Sequence, residues 1–194
     1  MCNGVIHLAQ NTKAQRKNQK MSLDNTTIQE KLTAKFGESV SNFTNEFGML
    51  AFEIAKEKNT EAIQFLRDEL GFNFLTDVCG IHYPDNETEK QFAVVYHLHN
   101  WVENVRVRFK AFLNGENPEI ETATALFLSA NWQERETYDF YGIIFTGHPD
   151  LKRILNMDEM VSFPLRKEFP LEDQGRTDKD DRYFGRVPVN ANLN

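Results

Sequence analysis

Residues 131–171 read NWQERETYDFYGIIFTGHPDLKRILNMDEMVSFPLRKEFPL, and this stretch is denser in charged, aromatic and turn-forming side chains than the rest of the chain. Its first part, residues 131–141, predicts a helix of 3.6 residues per turn that ends at Gly142. On this helix Arg135 and Asp139 are four residues apart and therefore neighbours. A solvated ion pair there would contribute only about 0.3–0.5 kcal/mol. Because large aromatic side chains occupy both sides of the helix, we expect it to be partly enclosed, with its charges bonding neighbouring backbone or a partner.

Two acidic residues of this helix raise the question of acid–base catalysis. Glu134 and Glu136 are two residues apart, so on a helix they point to different faces and do not converge on one bond. No Gly-rich phosphate loop and no nucleophile elbow occur in the chain. The sequence therefore predicts no self-contained active site.

The second part of the stretch alternates turns and extended segments. Gly147, His148 and Pro149 predict a turn, since the proline restricts His148 to extended geometry. Pro164 and Pro170 bracket residues 165–169, which are predicted to be extended. Arg166 and Lys167 in this segment can bond carboxylates or carbonyls of a partner.

The chain before this stretch alternates between helical and strand patterns. A capping box at Thr27 and Glu30, with Ile28, Leu32 and Phe36 at helical spacing, predicts a helix that stops at Gly37. A second helix is expected through Leu70, capped by Asn59 or Thr60. The expected strands are residues 39–43, 49–55, 74–83, 91–98 and 102–112. In the last strand apolar residues alternate with Arg106, Arg108 and Lys110, which indicates a sheet with one apolar and one basic face. This order predicts an α+β fold, a mainly antiparallel sheet with helices packed on one face, followed by an extended C-terminal tail.

The amino-acid composition of the chain argues against several classes of function. A chain of 194 residues suits one domain, and its net charge of -7 argues against nucleic acid as a partner. Its two cysteines cannot build a disulfide framework or ligate an iron–sulfur cluster alone, and Cys79 is expected to be a small buried hydrophobe in a reducing compartment. No run approaches 18 apolar residues, so no membrane span is expected.

Three segments follow from these patterns. Residues 1–23 are expected to be a disordered or extra N-terminal extension, with Met21 as the hypothesised native start. Residues 24–160 are expected to form the α+β domain, and residues 161–194 an extended segment that binds a partner. At about 3.3 Å per residue, the polar part after residue 171 could reach roughly 80 Å.

One motif leaves a remote alternative open. His97 and His99 lie on one face of a predicted strand and could supply half of a metal site. No third ligand is near them in sequence, and alternating polar residues are ordinary on an exposed face. A stand-alone metal-dependent soluble enzyme is therefore kept only as a remote possibility.

Longer motifs carry a family resemblance. The pattern Glu-Arg-Glu-x-aromatic-Asp-x-aromatic-Gly-Ile-x-Phe is followed by His-Pro-Asp-Leu-x-Arg-Ile-Leu and by Pro-Leu-Arg-Lys-acid-aromatic-Pro-Leu. Together they resemble the 30 kDa subunit family of respiratory complex I, the proton-translocating NADH:quinone oxidoreductase, over about residues 26–171. One departure is Ser162-Phe163, where the family commonly has Gly-His, which leaves the conformation of this turn open.

The resemblance implies a non-catalytic, cofactor-free structural subunit of a translocase. FMN, iron–sulfur clusters and quinone would lie in other subunits of the complex. The implied partners are the 49 kDa-type (D-type) subunit, along which the C-terminal segment would lie, and other subunits of the hydrophilic arm. The implied location is peripheral, on the cytoplasmic side of the bacterial inner membrane. An equivalent subunit of a related membrane-bound hydrogenase or other quinone reductase is the alternative.

The resemblance also names the residues expected to form the family signature and the partner interface. These are Glu134, Arg135, Glu136, Asp139, Gly142, His148, Pro149, Arg153, Pro164, Leu165, Arg166, Lys167 and Pro170.

Overall fold

The computed structural model describes residues 23–169. The helices are α1 (Asn25–Phe36), α2 (Asn59–Leu70) and α3 (Ala130–Tyr141). The strands are β1 (Val40–Glu46), β2 (Met49–Ile54), β3 (Phe74–His82), β4 (Phe92–Asn100), β5 (Val105–Leu113), β6 (Glu119–Glu121) and β7 (Ile144–Thr146). The predicted extension before Leu23 and the predicted tail from Pro170 onward lie outside the described residues.

The main sheet has five strands in the order β1-β2-β5-β4-β3. The pairs β1–β2, β3–β4 and β4–β5 are antiparallel, and β2–β5 is parallel. The short strands β6 and β7, which the sequence analysis did not predict as strands, pair in parallel in a second sheet. The prediction of an α+β fold with a mainly antiparallel sheet is confirmed.

All three helices share one core with a single face of the main sheet. The residues of β4 and β5 in this core occur at every second position, and Tyr96 stacks on Phe109 with ring centroids 5.1 Å apart. The helices contribute residues such as Leu32 and Leu66, both fully buried. The prediction of helices on one face is thus correct, and the alternate positions of β5 place Arg106 and its neighbouring cations on the opposite face.

Helix α3 lies along β3, the outer strand of the main sheet. Gln133 donates to the backbone oxygen of Thr76 at 3.2 Å, and Thr137 donates to that of Val78 at 3.3 Å. These carbonyls belong to a strand that has a partner on only one side. The helix therefore covers a sheet edge that would otherwise be open to pairing with another chain.

The predicted helix starts need two corrections. Helix α1 is capped by Asp24, whose Oδ1 accepts the backbone N–H of Thr27 at 2.8 Å, rather than by a capping box at Thr27. Helix α2 begins at Asn59, and no side chain caps it; the Asn59 side chain is buried, and its Nδ2 donates to the hydroxyl of Tyr96 at 3.1 Å. The Asn59 side chain, which the sequence predicted as a helix cap, thus forms a tertiary hydrogen bond instead.

The predicted strand starting at residue 102 begins at Val105 instead, because residues 101–104 form the turn of the β4–β5 hairpin. The larger error concerns residues 165–169, which are not extended. Arg166 N–H donates to the oxygen of Phe163 at 3.1 Å and Phe169 N–H to that of Arg166 at 3.0 Å, so the segment makes consecutive turns. Within residues 23–169 no helix is long and apolar enough to cross a bilayer.

Candidate functional site: a loop fastened to helix α3

The residues after β7 form a long irregular loop, residues 147–169, that folds back on α3 and is here named the anchored loop. It starts at a turn in which Nδ1 of His148 accepts the N–H of Asp150 at 3.1 Å. The other ring nitrogen of His148 lies 3.2 Å from the backbone oxygen of Asn131 near the start of α3. The predicted turn at Gly147, His148 and Pro149 is present, and Gly147 has a φ of 80°.

Asp139 is the central acceptor for this loop. Its fully buried carboxylate receives the backbone N–H groups of Ile154, Leu155 and Asn156 at Oδ2, at 3.1, 2.8 and 2.9 Å. Oδ1 accepts from Arg153 at 2.7 Å and from the side chain of Asn156 at 3.0 Å. Burial acts to raise the pKa of Asp139, but these hydrogen bonds outweigh it, and the pKa lies below its usual range.

Arg153 completes the same centre. Its Nη1 also donates to the backbone oxygen of Asp139 at 2.9 Å, and its Nη2 donates to the backbone oxygens of Met160 and Ser162. The guanidinium lies over the ring of Phe163, 4.9 Å from its centroid. One side chain therefore joins α3 to both ends of the segment 153–162.

Arg135 and Arg166 hold the two flanks of the loop. Nε and Nη2 of Arg135 donate to the backbone oxygens of Lys152 and Arg153 at 3.2 and 3.0 Å. Nε of Arg166 donates to the backbone oxygen of Tyr141 at 2.7 Å, at the last residue of α3. Cationic groups at a helix C-terminus are favourable, because the unpaired carbonyls there carry partial negative charge.

The sequence analysis left the conformation of the turn at Ser162 and Phe163 open, and the structure places Phe163 beside two arginines. Its ring lies between the guanidinium groups of Arg153 and Arg166, at 4.9 and 4.7 Å from their central carbons. Arg166 also lies over Phe92 at 5.0 Å, and burial lowers the pKa of its guanidinium. Gly142, with a φ of 72°, faces this cluster, and a Cβ there would come within 2.6 Å of Phe163.

Glu134 serves a different contact, toward the segment before the helix. Its Oε1 accepts the N–H of Ala123 at 2.7 Å, and its Oε2 accepts the hydroxyl of Thr122 at 2.5 Å. Burial raises the pKa of Glu134 to about 7, although both hydrogen bonds act to lower it. Glu136 is exposed on another side of the helix, as its spacing predicted.

The sequence analysis placed Arg135 beside Asp139 as an i,i+4 pair, but the two do not bond each other. Asp139 pairs with Arg153, and Arg135 binds two carbonyls of the loop. The expectation that the charges of the helix bond neighbouring backbone is correct. Pairing with Arg153 and with Thr122 was not foreseen, because these contacts depend on the path of loops that carry no periodic pattern.

The backbone of Pro164, Leu165 and Lys167 runs along this cluster as well. Leu165 N–H donates to the oxygen of Phe140 at 3.2 Å, and Lys167 N–H donates to Nδ1 of His82 at 3.0 Å. The His82 ring stacks on Phe92, and burial lowers the pKa of His82. The Lys167 side chain itself is exposed. Pro170, the last predicted signature residue, lies outside the described residues.

Five apolar side chains of the anchored loop are exposed, among charged ones such as Asp158 and Glu159. Leu155, Met157 and Val161 are 64%, 74% and 92% exposed, and Leu165 and Phe169 are 40% and 41% exposed. We name these five side chains the apolar surface of the loop. Single exposed apolar residues are ordinary, but several on one short segment whose backbone is held by buried arginines are typical of an interaction site.

The two histidines that left a metal site open lie on the face of the sheet opposite the helices. Nδ1 of His97 is 4.0 Å from Oδ2 of Asp77, and His99 contacts Asn104 at 3.2 Å. In the part of the chain that the structure describes, no three His, Cys, Asp or Glu side chains are grouped so that they could hold a metal ion. Cys79 is half-buried, and burial raises the pKa of its thiol to about 11.

The sequence of the chain is similar to those of known proteins. Residues 52–175 match the family described as respiratory-chain NADH dehydrogenase, 30 Kd subunit. A protein named as the C subunit of NADH-quinone oxidoreductase from Roseiflexus sp. (strain RS-1) is 39% identical over 172 residues, which cover 87% of this chain and 98% of the relative. A protein named as the C/D subunit of the same oxidoreductase, from Bdellovibrio bacteriovorus, is 42% identical over 147 residues, 76% of this chain and 26% of the relative.

Two solved structures are similar in fold. The structure described as Nqo5 of the trypsin-resistant fragment (1-134) has a TM-score of 0.56 and 32% identity, covering 64% of this chain and 98% of that one. A chain of the membrane-bound sulfane sulfur reductase, an archaeal respiratory membrane complex, has a TM-score of 0.64 and covers 74% of this chain and 84% of its own. At 21% identity the second likeness extends to the fold alone.

Proposed function

The chain belongs to the family of the respiratory-chain NADH dehydrogenase 30 Kd subunit, and we propose that it is a non-catalytic structural subunit of proton-translocating NADH:quinone oxidoreductase. In this role it supports electron transfer from NADH to quinone without holding FMN, an iron–sulfur cluster or quinone itself. It lies in the hydrophilic arm, peripheral to the cytoplasmic side of a bacterial inner membrane. Its task is to dock on the D-type subunit.

The apolar surface of the anchored loop is the observation that carries this proposal. Leu155, Met157 and Val161 are exposed although the backbone beneath them is fixed by Asp139 and Arg153. A docking segment that is already ordered loses less conformational entropy on binding than one that must first fold. The signature charges thus act indirectly, by presenting the apolar side chains that contact the partner.

The Bdellovibrio relative, whose name combines C and D, supports the choice of partner. A protein that joins two subunits in one chain keeps them close to each other. The anchored loop contains the last described residues of this chain, so its apolar surface is near the point from which a following segment departs. We therefore assign the apolar surface to the D-type partner.

A paired substitution tests the docking surface. In the full chain co-expressed with the D-type subunit, Met157→Ser together with Val161→Ser should reduce co-purification at least tenfold. The control is Phe47→Ser together with Leu128→Ser, because these large apolar side chains are also strongly exposed but lie outside the anchored loop. Equal co-purification of both variants would assign docking to another part of the chain.

The cofactor-free role has its own test. The purified chain should show no flavin absorbance, no cluster signal in electron paramagnetic resonance and no stoichiometric metal in elemental analysis. A bound flavin or cluster would overturn the structural role, and stoichiometric metal would favour the remote metalloenzyme alternative. Genes for NADH-oxidising subunits beside this one would favour NADH:quinone oxidoreductase, and hydrogenase-type genes would favour the related complex.

A further inference from the structure

The face of the main sheet that points away from the helices is left open within residues 23–169. The strand residues in the shared core all belong to the helix-covered face. On the open face the central strand β5 carries Arg106, Arg108 and Lys110 at alternate positions. At about 3.4 Å per residue these cations form a row roughly 14 Å long.

In the strand register one acidic residue lies directly beside the row of cations, namely Glu53 next to Lys110. The register places Arg108 between Ala51 and His97, and Lys110 between Glu53 and Val95. Among residues 23–169 none of the three cations forms an ion pair. Nε of Arg108 is buried and has no hydrogen-bond acceptor in this part of the chain.

An exposed aromatic pair adjoins the row at the hairpin end. Phe74 and Trp101 contact each other edge to face with centroids 5.5 Å apart, and they are 42% and 62% exposed. His99, paired with Arg106 across the strands, lies 5.1 Å from the Trp101 ring. Tryptophan and arginine side chains are the ones that most often dominate the binding energy of protein interfaces.

A shallow groove of about 300 Å³ runs beside the cations between β1 and β5. Arg108 and Lys110 line it together with the acidic residues Glu46 and Glu53, and the small side chain of Ala51 leaves room between them. The open face therefore combines a row of three cations, exposed aromatic side chains and a concave strip of mixed charge.

We propose that this basic face, defined by Phe74, Trp101, Arg106, Arg108 and Lys110, is a second docking surface that takes an acidic surface of another protein subunit. Carboxylates of that subunit contact the three cations, and an apolar side chain packs against Trp101 and Phe74. The row has the opposite sign to the net charge of the chain, which is -7, so it favours an acidic partner surface over a basic one. The inference rests on the proposed function, because the occupant is a further subunit of the same complex.

Charge reversal tests the basic face. The triple variant Arg106→Glu, Arg108→Glu and Lys110→Glu is compared with the control Lys31→Glu, Lys35→Glu and Lys58→Glu, which changes the net charge equally. In complex purified from cells, the triple variant should retain the D-type subunit but lose one other subunit at least tenfold, and the control should lose none. A complete complex with the triple variant would overturn the inference. If the wild-type chain itself did not co-purify with the D-type subunit, the proposed function would be overturned instead.

Carbodiimide coupling of the wild-type complex keeps the inference testable if the triple variant fails to fold. This reagent joins amines to carboxylates in direct contact, and Lys110 is the amine in the row. We expect mass spectrometry to find Lys110 joined to an Asp or Glu of another subunit. Coupling of Lys110 only to carboxylates of its own chain would overturn the inference. Binding of the isolated chain to anionic phospholipid vesicles, abolished by the triple variant, would likewise overturn it and assign the face to a membrane surface.

Discussion

Asp139 and Arg153 are 14 residues apart in the chain, yet their side chains meet at 2.7 Å in a centre from which nearly all water is excluded. Their hydrogen bonds reach six further backbone groups, from Asp139 itself to Ser162. This ion pair therefore fixes the middle of the anchored loop, between the flanks that Arg135 and Arg166 hold.

Replacing Asp139 with Asn should destabilise the chain by about 3–5 kcal/mol, because Arg153 would keep its buried charge without a counter-ion. Denaturant unfolding of both proteins measures this difference. The control is Asp150→Asn, since Asp150 forms an exposed ion pair with Lys152 and should have little effect. A similar small effect of both substitutions would show that the centre contributes little to stability.

Because of Asp139 we also expect the folded chain to lose stability at low pH. Its pKa in the folded chain lies below the usual range, so the ionised form is favoured by folding. The associated stability is present above the unfolded pKa of about 3.9 and is lost as the pH falls toward the folded value. Thermal unfolding between about pH 2 and 5 should show this loss in the wild type, and Asp139→Asn should show a smaller one.

For Glu134 we expect the opposite dependence of stability on pH. Its folded pKa is raised to about 7, so its stabilising effect is complete below the unfolded pKa of about 4.3 and is lost as the pH rises through 7. Each pH unit between the two pKa values corresponds to about 1.4 kcal/mol. Glu134→Gln should flatten the fall in melting temperature between pH 5 and 8. An unchanged slope in this variant would mean that other groups cause the fall.

Gly142→Ala should destabilise the chain by about 1–3 kcal/mol, because alanine is strained at a φ of 72° and its Cβ would meet Phe163 and Arg166. Gly48→Ala is the matched control, since Gly48 also has a positive φ of 78°, but a Cβ added there would have no neighbouring atom within 4 Å. The excess cost at Gly142, measured by denaturant unfolding, reports the close approach of the loop. Equal costs would indicate that the loop moves away at little expense.

Arg166→Lys should loosen the end of the anchored loop, because lysine cannot both stack on Phe163 and place an Nε donor at Tyr141. Hydrogen exchange of the Leu165 amide, which donates to Phe140, should become at least tenfold faster. The neighbouring exposed change Lys167→Arg should leave that amide unaffected. Unchanged exchange in Arg166→Lys would show that Leu165 is protected by other contacts.

Periodic patterns accounted for most of the fold. The alternation in β5 and the spacing of Ile28, Leu32 and Phe36 in α1 predicted both the elements and their buried faces. The parallel pairing of β2 with β5 could not be predicted in this way, since it joins strands that are about fifty residues apart and the pattern of each strand is the same in either direction.

The anchored loop was the least predictable part of the candidate site. Proline restricts its own φ and the residue before it, so Pro164 and Pro170 say little about residues 165–169 between them. The turns there place Arg166 against Tyr141, a tertiary contact that no local rule contains. The motifs singled out Arg135, Arg153 and Arg166, and only the fold showed that they bind this chain's own carbonyls.

The parallel ladder between β2 and β5 also has a consequence for how the chain folds. It is the connection in the main sheet between the β1–β2 hairpin and the meander of β3, β4 and β5, whose own pairings are antiparallel and local in sequence. Closing it requires a loop of about fifty residues, which costs more entropy than closing either hairpin. We therefore expect the two antiparallel units to form early, and the union of β2 with β5 to set the folding rate.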